Sequence, residues 1–355
     1  MKAVVLERAG VLSYQEVELP EVPAESVRIR VAVCGICGSD IPRVFDVAAH
    51  GYPQILGHEF SGWIDALGVD VQDLSIGQRV VAAPLVPCGK CPDCQRGDYA
   101  LCRQYSFIGS RQPGAMADFV TVPRKNVLAI SDSVSFEQAA TVEPATVALH
   151  ALRQCRFQGG KSVAVLGCGI IGLYMVQWAR VLGASYIAVV SRGARGLDTA
   201  RKFGADICVS TENADEVSAL VALPEGFDYV MECSGSHVTM LLALQLVAKK
   251  GAVTYVGTPK MPLTFPINLW EQINRKECWV TGAWMSYSAP FPGEEWSTAI
   301  QAMETGEFRF IPELLYKVYP MKDAMEAFEQ IYRGTAKGRV LLNNLQTETS
   351  VPDAK

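Results

Sequence analysis

Residues 161–182 read KSVAVLGCGIIGLYMVQWARVL, and this stretch decides the fold. The apolar run Val163–Leu166 predicts a buried β-strand, and the segment Ile171–Leu182 predicts a helix. Between them lies the turn G-C-G-I-I-G at 167–172. A strand, a G-x-G-x-x-G turn and a helix in this order are typical of a dinucleotide-binding unit.

The residues of this turn have separate predicted roles. Gly167 permits a tight turn, Gly169 lets a pyrophosphate approach the backbone, and Gly172 lets the helix pack close to the strand. Ile170 and Ile171 open the helix, whose first N–H groups would face the pyrophosphate. These five residues are therefore candidate cofactor-binding residues.

Residues 150–285 are predicted to form a doubly wound α/β domain. The predicted strands are Val163–Leu166, Tyr186–Val190, Asp206–Val209, Phe227–Met231, Ala252–Val256 and Cys278–Thr281. Strands that alternate with helices favour a parallel sheet with helices on both faces. The uncharged residues between Lys161 and Arg180 approach the length of a membrane helix. Their three glycines favour a strand, a turn and a buried helix instead.

Residues 1–149 are predicted to form a β-rich domain, a barrel or sandwich with long loops. The segment Val27–Val33 alternates as VRIRVAV, which indicates a half-buried strand. The tail 286–355 contains two predicted helices, Glu294–Glu304 and Lys322–Arg333. Because this tail is too short to build its own core, we expect it to return to the first domain.

Composition excludes several classes of protein. Of the 355 residues, 49% are hydrophobic and 19% are charged, which excludes global disorder. The net charge of −5 argues against a nucleic-acid binder, and we expect neither a nucleic-acid nor a membrane partner. The N-terminal MKAVVLER lacks the apolar core of a signal peptide, so a cytoplasmic location and reduced thiols are expected.

Four of the eleven cysteines follow the pattern C-x2-C-x2-C-x7-C. They are Cys88, Cys91, Cys94 and Cys102. Four thiolates in a turn rich in glycine and proline predict the closed tetrahedral shell of a structural zinc ion. An iron–sulfur cluster is the alternative, although the C-x3-C-P completion is missing. The lysine and arginines of this lobe are nearly balanced by aspartates, which disfavours a nucleic-acid-binding zinc ribbon.

Three residues far apart in the sequence are candidate ligands of a second metal ion. Cys37 lies in C-G-S-D, His58 in G-H-E and Glu143 in V-E-P. A thiolate, an imidazole and a carboxylate leave a fourth position open, as in catalytic zinc sites. Each residue alone has an ordinary alternative, such as a buried histidine or a core cysteine.

The order of these motifs resembles the zinc-dependent medium-chain dehydrogenase/reductase family, and within it the polyol branch. The order C-G-x-C-G-S-D, G-H-E, four cysteines, E-P and glycine turn covers essentially the whole chain. The resemblance implies a GroES-like catalytic domain over 1–149 and 286–355 and a Rossmann domain over 150–285. It also implies an enzyme that exists as a homodimer or homotetramer.

The activity implied is hydride transfer between a sugar alcohol, or its phosphate, and a nicotinamide cofactor. An unphosphorylated substrate of the sorbitol or threonine type, or another secondary alcohol, is the alternative. A non-catalytic role, as in lens-type relatives, is disfavoured because all three candidate zinc ligands are present.

The resemblance also implies roles for individual residues. Cys37, His58 and Glu143 match the catalytic zinc ligands, and Glu59 matches a carboxylate that approaches or replaces a ligand in some relatives. Asp40 matches the acid that orients the ligand histidine.

Ser39 matches the hydroxyl that relays the proton of the substrate alcohol. Pro42 occupies the place of a relay histidine, and His50 is a candidate substitute, with a surface histidine as the alternative. A substrate phosphate would need cationic partners, for which the candidates are Arg43, Arg111 and Lys276.

The end of the second predicted strand favours NADP over NAD. Folds that select NAD place Asp or Glu there, whereas this chain has Ser191 and Arg192, with Arg195 following. An arginine can bind the 2′-phosphate through two hydrogen bonds. A solvated arginine with NAD bound is the alternative. Gly257 and Arg339 complete the predicted cofactor-binding residues.

Overall fold

The computed structural model describes residues 1–46, 50–310 and 312–345. Its internal contacts divide the chain into two compact units. The first unit comprises Met1–Glu143, Ala289–Pro292 and Leu315–Lys355, and the second comprises Pro144–Ser288 and Gly293–Leu314. Residues 144–149, 286–288 and 293–314 thus group with the second unit, which differs from the predicted boundaries.

The first part of the first unit is built from short strands and very short helices. The strands are β1 (Lys2–Arg8), β2 (Val11–Glu16), β3 (Ser26–Gly35), β4 (Gln54–Ile55), β5 (Glu59–Leu67), β6 (Arg79–Ala82), β7 (Leu85–Val86), β8 (Ser106–Phe107), β9 (Phe119–Pro123) and β10 (Val127–Ala129). The helices are α1 (Asp40–Phe45), α2 (Pro92–Gln95) and α3 (Phe136–Ala139).

Strands and helices alternate in the second unit. In chain order they are α4 (Val142–Gln154), β11 (Ser162–Leu166), α5 (Ile170–Val181), β12 (Tyr186–Ser191), α6 (Ala194–Lys202), β13 (Ile207–Ser210), α7 (Ala214–Val221), β14 (Phe227–Glu232), α8 (His237–Leu246), β15 (Val247–Tyr255), α9 (Ile267–Lys276), β16 (Trp279–Gly282) and α10 (Glu294–Glu304). The chain then adds β17 (Leu315–Pro320), α11 (Ala324–Tyr332) and β18 (Arg339–Asn343) to the first unit.

The sheet of the second unit confirms the predicted doubly wound fold. Its strands are parallel in the order β13-β12-β11-β14-β15-β16. This is the order 3-2-1-4-5-6 of dinucleotide-binding sheets, in which ligands bind where the order reverses, beyond the carboxyl end of the first strand. Here that position is the turn after β11. β15 starts five residues before the predicted Ala252, because Val247 already pairs with Phe227.

The uncharged run between Lys161 and Arg180 forms β11 and most of α5. Within the described ranges, no helix has the length and apolar character needed to cross a membrane.

In the first unit, β3 organises a seven-stranded sheet. The path β10-β6-β5-β3-β18-β17 runs through it, and β9 also pairs with β3. Val27, Ile29 and Val31 point into the core, whereas Arg28 and Arg30 are more exposed, as the alternation predicted. β18 pairs with β3 in antiparallel orientation, which ties the C-terminal segment to this core.

The sequence predicted that helix α10 belongs to the first domain. In the structure it packs in the second unit. Trp296 is fully buried, and its Nε1 donates a hydrogen bond to the Ser286 carbonyl at 3.0 Å. Just after the helix, the Phe308 ring lies 4.7 Å from the Trp178 ring of α5. These aromatic contacts explain the attachment, and local periodicity could not indicate them.

Candidate metal centres and cofactor-binding turn

Strand pairing brings Cys37, His58 and Glu59 together. In the antiparallel pair of β3 and β5, Gly35 lies opposite Glu59, so the residues that follow β3 meet those that begin β5. One potential ligand atom from each of the three residues lies within 4.8 Å of the others. His58 and Glu59 are 4% and 2% exposed, so these polar groups are held in the interior.

The local electrostatics of this cluster fit a cation. Burial, together with the negative charges of Asp40 and Glu143, raises the pKa of the Cys37 thiol to about 11. A bound divalent ion reverses that balance, because it stabilises the thiolate directly. One thiolate, one imidazole and nearby carboxylates are a donor set that suits zinc.

The third member of the cluster differs from the predicted ligand set. Among the described residues, the carboxylate that lies close to Cys37 and His58 is that of Glu59. Glu143 lies at the start of α4 and is not part of this cluster. The charge of Glu143 nevertheless acts on Cys37, and burial raises the pKa of its own carboxyl. A ligand role for Glu143 therefore stays a prediction.

Glu59 forms an ion pair with Arg339 of β18, a contact that sequence reasoning missed. Arg339 is 4% exposed, and its Nη1 also donates to the Ile36 carbonyl at 3.1 Å. Gly35 makes room for the pair, since a Cβ there would overlap the guanidinium. Arg339 thus lies in the first unit beside the metal cluster, and its predicted role in cofactor binding stays a prediction.

Helix α1 arranges the groups around Cys37. Asp40 is fully buried, accepts a hydrogen bond from the Cys37 N–H at 3.1 Å, and has Oδ1 3.7 Å from His58 Nδ1. The Ser39 Oγ donates to Cys37 Sγ at 3.3 Å. Arg43 donates to Ser39 Oγ at 3.0 Å and to Asp40 Oδ1 at 3.1 Å. The cluster therefore has a hydroxyl beside its sulfur, and an arginine holds that hydroxyl.

The four-cysteine lobe forms a second candidate metal centre. The short pair β7–β8 closes its base, and α2 carries one of the cysteines. All four sulfurs lie within 4.8 Å of one another, and the pairs Cys88–Cys94 and Cys91–Cys102 are each 4.0 Å apart. Tetrahedral zinc with Zn–S bonds of about 2.3 Å requires sulfurs about 3.8 Å apart. The lobe therefore fits a zinc ion.

The surroundings of the lobe favour the thiolate at Cys91 and oppose it at Cys94, whose pKa burial raises to about 12, and the arginines of the lobe are paired. Backbone N–H groups of Cys94 and Arg103 lower the pKa of Cys91 to about 6. Asp93 accepts hydrogen bonds from Arg96 at 2.6 Å and from Arg103 at 2.9 Å.

The glycine turn has the geometry of a phosphate-binding βα turn. Gly167 has φ +110°, a conformation that L side chains rarely adopt. A Cβ on Gly172 would overlap the Gly167 carbonyl oxygen, which explains the third glycine. Around Gly169, the N-cap of α5, no described atom lies within 4 Å of the Cβ position. The turn therefore leaves open space at the helix N-terminus, where a pyrophosphate binds.

The residues predicted to select the cofactor lie at and beyond the end of β12. Ser191 Oγ accepts a hydrogen bond from the Cys168 N–H at 3.2 Å, so this side chain lies beside the turn. Arg192 is exposed and forms no ion pair with any residue in the described ranges. Arg195 donates to the Glu313 carbonyl at 3.1 Å. Gly257 follows β15, and its Cβ position is filled by Glu232 and neighbouring backbone.

Lys276, a candidate for a substrate phosphate, is engaged elsewhere. Its Nζ donates to the carbonyls of Leu244 and Gln245 at 3.1 and 2.9 Å, where it caps the C-terminal end of α8. It is therefore a structural lysine in the second unit.

A buried ionic network in the second unit was also missed by sequence reasoning. Glu295 of α10 is 1% exposed and is joined to His150 of α4 by a hydrogen bond of 3.0 Å. Ser288 donates to the same carboxylate at 2.6 Å, and Arg153 lies 3.3 Å away. Burial opposes ionisation of Glu295, yet the hydrogen bonds from His150 and Ser288 lower its pKa to about 2.

Comparison with known proteins agrees with this architecture. Residues 23–132 match the alcohol dehydrogenase GroES-like domain, and residues 171–305 match the zinc-binding dehydrogenase domain. The chain is 38% identical to galactitol 1-phosphate 5-dehydrogenase of Escherichia coli K12, over 96% of this chain and 99% of that enzyme. It is 32% identical to sorbitol dehydrogenase of Bacillus subtilis, over 75% and 78% of the two chains.

Solved structures give the same result. The crystal structure of galactitol-1-phosphate dehydrogenase from Escherichia coli superposes with a TM-score of 0.91 at 36% identity, covering 97% of this chain and all of that one. The stretches CGSDIPRVF and FIGSR by themselves predict a resemblance to that enzyme, and the superposition confirms the resemblance. A zinc-binding dehydrogenase from Sinorhizobium meliloti 1021, solved bound to NADP, has a TM-score of 0.87 at 29% identity, covering 96% and 98%.

Proposed function

Because this chain belongs to the zinc-dependent medium-chain dehydrogenase/reductase family, we propose that it oxidises a sugar alcohol or sugar alcohol phosphate. A hydride passes from a carbinol carbon to a nicotinamide cofactor, and the alcohol proton is released. The observation that carries this proposal is the cluster of Cys37, His58 and Glu59, with the Ser39 hydroxyl 3.3 Å from the Cys37 sulfur.

Residues of the first unit would hold the catalytic zinc ion and orient its ligands. Cys37, His58 and a carboxylate, Glu143 or Glu59, would hold the catalytic zinc. When bound, this ion supplies a Lewis acid that polarises the alcohol oxygen. Asp40 Oδ1 lies 3.7 Å from His58 Nδ1, so Asp40 would orient the imidazole for metal binding through the other ring nitrogen.

Ser39 is positioned to accept the proton of the alcohol while its own hydroxyl proton passes to solvent water, to which Ser39 is exposed, and Arg43 fixes its orientation. Arg43 donates a hydrogen bond to Ser39 Oγ, so the hydroxyl proton of Ser39 points away from Arg43 and toward Cys37 Sγ. An arginine keeps its proton at any pH of interest, so Arg43 positions Ser39 but does not itself relay. Pro42 has no side-chain proton donor or acceptor, and the onward route of the proton differs from that of relatives with histidine there.

We further propose NADP as the preferred cofactor. Ser191 ends β12, and Arg192, which forms no ion pair among the described residues, follows it at the place where a selective acidic residue would repel a 2′-phosphate. The NADP found in the Sinorhizobium meliloti relative supports this choice.

The second zinc ion of the proposal is structural and belongs to the four-cysteine lobe. Its thiolate ligands require reducing conditions, and all eleven cysteines are free in the structure. These observations support the predicted cytoplasmic location. The paired arginines of the lobe support the absence of nucleic acid among its partners.

An exposed sheet edge supports a homodimer. In the described part of the chain, β16 ends the sheet of the second unit. Trp279 and Val280 on this strand are 42% and 37% exposed, and the neighbouring Trp284 is 58% exposed. An unpaired apolar edge favours pairing with a second copy about a two-fold axis. Sedimentation of wild type and of Val280→Lys tests this, with a monomeric variant expected.

A substrate panel with both nicotinamide cofactors, on protein of measured zinc content, tests the proposed function. We expect polyol oxidation faster with NADP than with NAD, and about two zinc ions per chain. Cys37→Ser should abolish turnover and retain about one zinc ion. Retained turnover in that variant, or oxidation of threonine in preference to every polyol, would contradict the proposal.

A further inference from the structure

A cavity of about 360 Å³ in the first unit is lined by Val5, Gln15 and Val17 and by two segments that adjoin the candidate catalytic cluster. One segment, residues 50–55, leads along the chain to His58. The other, residues 110–113, follows Phe107, whose ring lies 5.5 Å from the His58 ring. The cavity is therefore built from the loops that frame the site of the proposed alcohol oxidation.

Arg111 supplies the positive charge in the lining of this cavity. His50 and Arg111 both line it, and its described lining residues include neither Asp nor Glu. Arg111 lies over the Tyr105 ring at 4.1 Å and forms no ion pair within the described ranges. Burial and the positive charges of Arg111 and Arg43 lower the pKa of His50. An arginine that has no counter-ion among the described residues, in a cavity whose described lining has no carboxylate, favours an anionic ligand.

Arg111 needs a hydrogen-bond acceptor on the ligand, whereas Gln54 needs a donor. Its Nε2 donates to the Ser110 carbonyl at 3.3 Å, whereas its Oε1 is buried and has no hydrogen-bond partner among the residues that the structure describes. An orphaned buried acceptor is costly, so it points to a ligand that brings a donor. A phosphate dianion cannot donate, but a hydroxyl can. The two observations together favour a ligand that combines an anionic group with hydroxyls.

Resting on the proposed function, we propose that this cavity binds the phosphorylated end of a sugar alcohol phosphate. Arg111 and His50 donate hydrogen bonds to the phosphate, and Gln54 Oε1 accepts one from a hydroxyl of the carbon chain. A phosphate monoester carries nearly two negative charges at neutral pH and matches the planar arginine fork. A terminal carboxylate shares this chemistry with a single charge, so the test includes it.

The test compares galactitol 1-phosphate, galactitol and galactonate as substrates of the zinc-loaded enzyme. We expect wild type to prefer the phosphate ester over galactitol by at least about tenfold in kcat/KM. Arg111→Gln should reduce that ratio by at least about tenfold, mainly through KM. His50→Gln should reduce it in the same direction, and Arg333→Gln, an exposed helix arginine paired with Glu329, should leave it unchanged.

Calorimetric titration with galactitol 1-phosphate gives a readout that does not need turnover. Its Kd should rise at least about tenfold in Arg111→Gln. The subsite would be overturned if wild type had equal kcat/KM for galactitol 1-phosphate and galactitol, or preferred galactonate. It would also be overturned if Arg111→Gln lowered kcat/KM equally for the ester and the free polyol. No turnover of any polyol with either nicotinamide would instead overturn the proposed function, and the titration would still decide the subsite.

Discussion

The carboxylate of Glu59 and the guanidinium of Arg339 form an ion pair that is almost completely buried beside the candidate catalytic cluster. Breaking such a pair by removing one partner leaves a buried uncompensated charge, which is strongly destabilising. The pair also restrains Glu59, the carboxylate that lies with Cys37 and His58. It therefore links the C-terminal strand to the metal site.

Replacing Arg339 by Met should lower the free energy of unfolding by about 3–5 kcal/mol, because Glu59 is left unpaired in the interior. Adding Glu59→Gln to that variant should recover part of the loss. Urea denaturation at fixed zinc concentration measures both. Arg333→Gln, which breaks the exposed pair with Glu329, should cost less than about 1 kcal/mol. An equal loss of unfolding free energy in Arg339→Met and Arg333→Gln would show that the buried pair stabilises the fold no more than the exposed one.

Two glycines of the cofactor turn should respond differently to the same substitution. The Cβ position of Gly169 is open and its φ of −70° suits alanine, so Gly169→Ala should fold with wild-type stability. It should weaken NADP binding at least about tenfold, because the methyl group occupies the space for the pyrophosphate. Gly172→Ala forces a methyl group against the Gly167 carbonyl and should lose about 1–3 kcal/mol of stability.

Thermal unfolding without cofactor and NADP titration by fluorescence separate the two effects. A Gly169→Ala protein that binds NADP as wild type does would contradict the assignment of the turn.

Local patterns predicted the second unit well because each signal there lies within one βα unit. The run Val163–Leu166, the glycine turn and the following helix need no distant information, and β11 and α5 match them within one residue. The clustering of the four cysteines, and of Cys37 with His58, was also predictable, because these residues lie in short motifs, whereas Glu59 takes the place predicted for Glu143.

Local sequence patterns could not predict contacts that depend on the pairing of strands distant in the sequence. Glu59 meets Arg339 only because β18 pairs with β3, and β3 pairs with β5. Helix α10 has the amphipathic pattern of any surface helix, and nothing local assigns it to the second unit, where Trp296 bonds the Ser286 carbonyl.

The Glu295 network predicts a specific acid sensitivity. The pKa of Glu295 falls from its ordinary 4.5 to about 2 on folding, so its ionised form stabilises the native state. That contribution is complete above pH 4.5 and disappears as the pH falls through 2. It is on the order of 3 kcal/mol. Glu295→Gln should therefore be less stable than wild type at pH 6, and the difference should shrink between pH 4.5 and 2.

Urea denaturation of both proteins across this range gives the difference directly, and acid release of zinc affects both alike. A difference that stays constant with pH would contradict the role of the ionised carboxylate.

The loop after β12 predicts how cofactor preference can be changed. Replacing Ser191 by Asp and Arg192 by Ala should shift the enzyme toward NAD. The new carboxylate accepts hydrogen bonds from the ribose hydroxyls and repels a 2′-phosphate, and the lost guanidinium leaves that phosphate unpaired. Asp at position 191 can still accept from the Cys168 N–H, which Ser191 now does at 3.2 Å.

Hydrogen bonds to charged groups contribute about 1.5–3 kcal/mol each, so the ratio of kcat/KM for NADP over NAD should fall at least about tenfold. Steady-state kinetics with both cofactors on one polyol measure the ratio. Arg201→Ala is the matched control, because this exposed arginine of α6 pairs with Asp198 and should leave the ratio unchanged. Faster turnover of wild type with NAD, together with an unchanged ratio in Arg192→Ala, would show that this loop does not bind a 2′-phosphate.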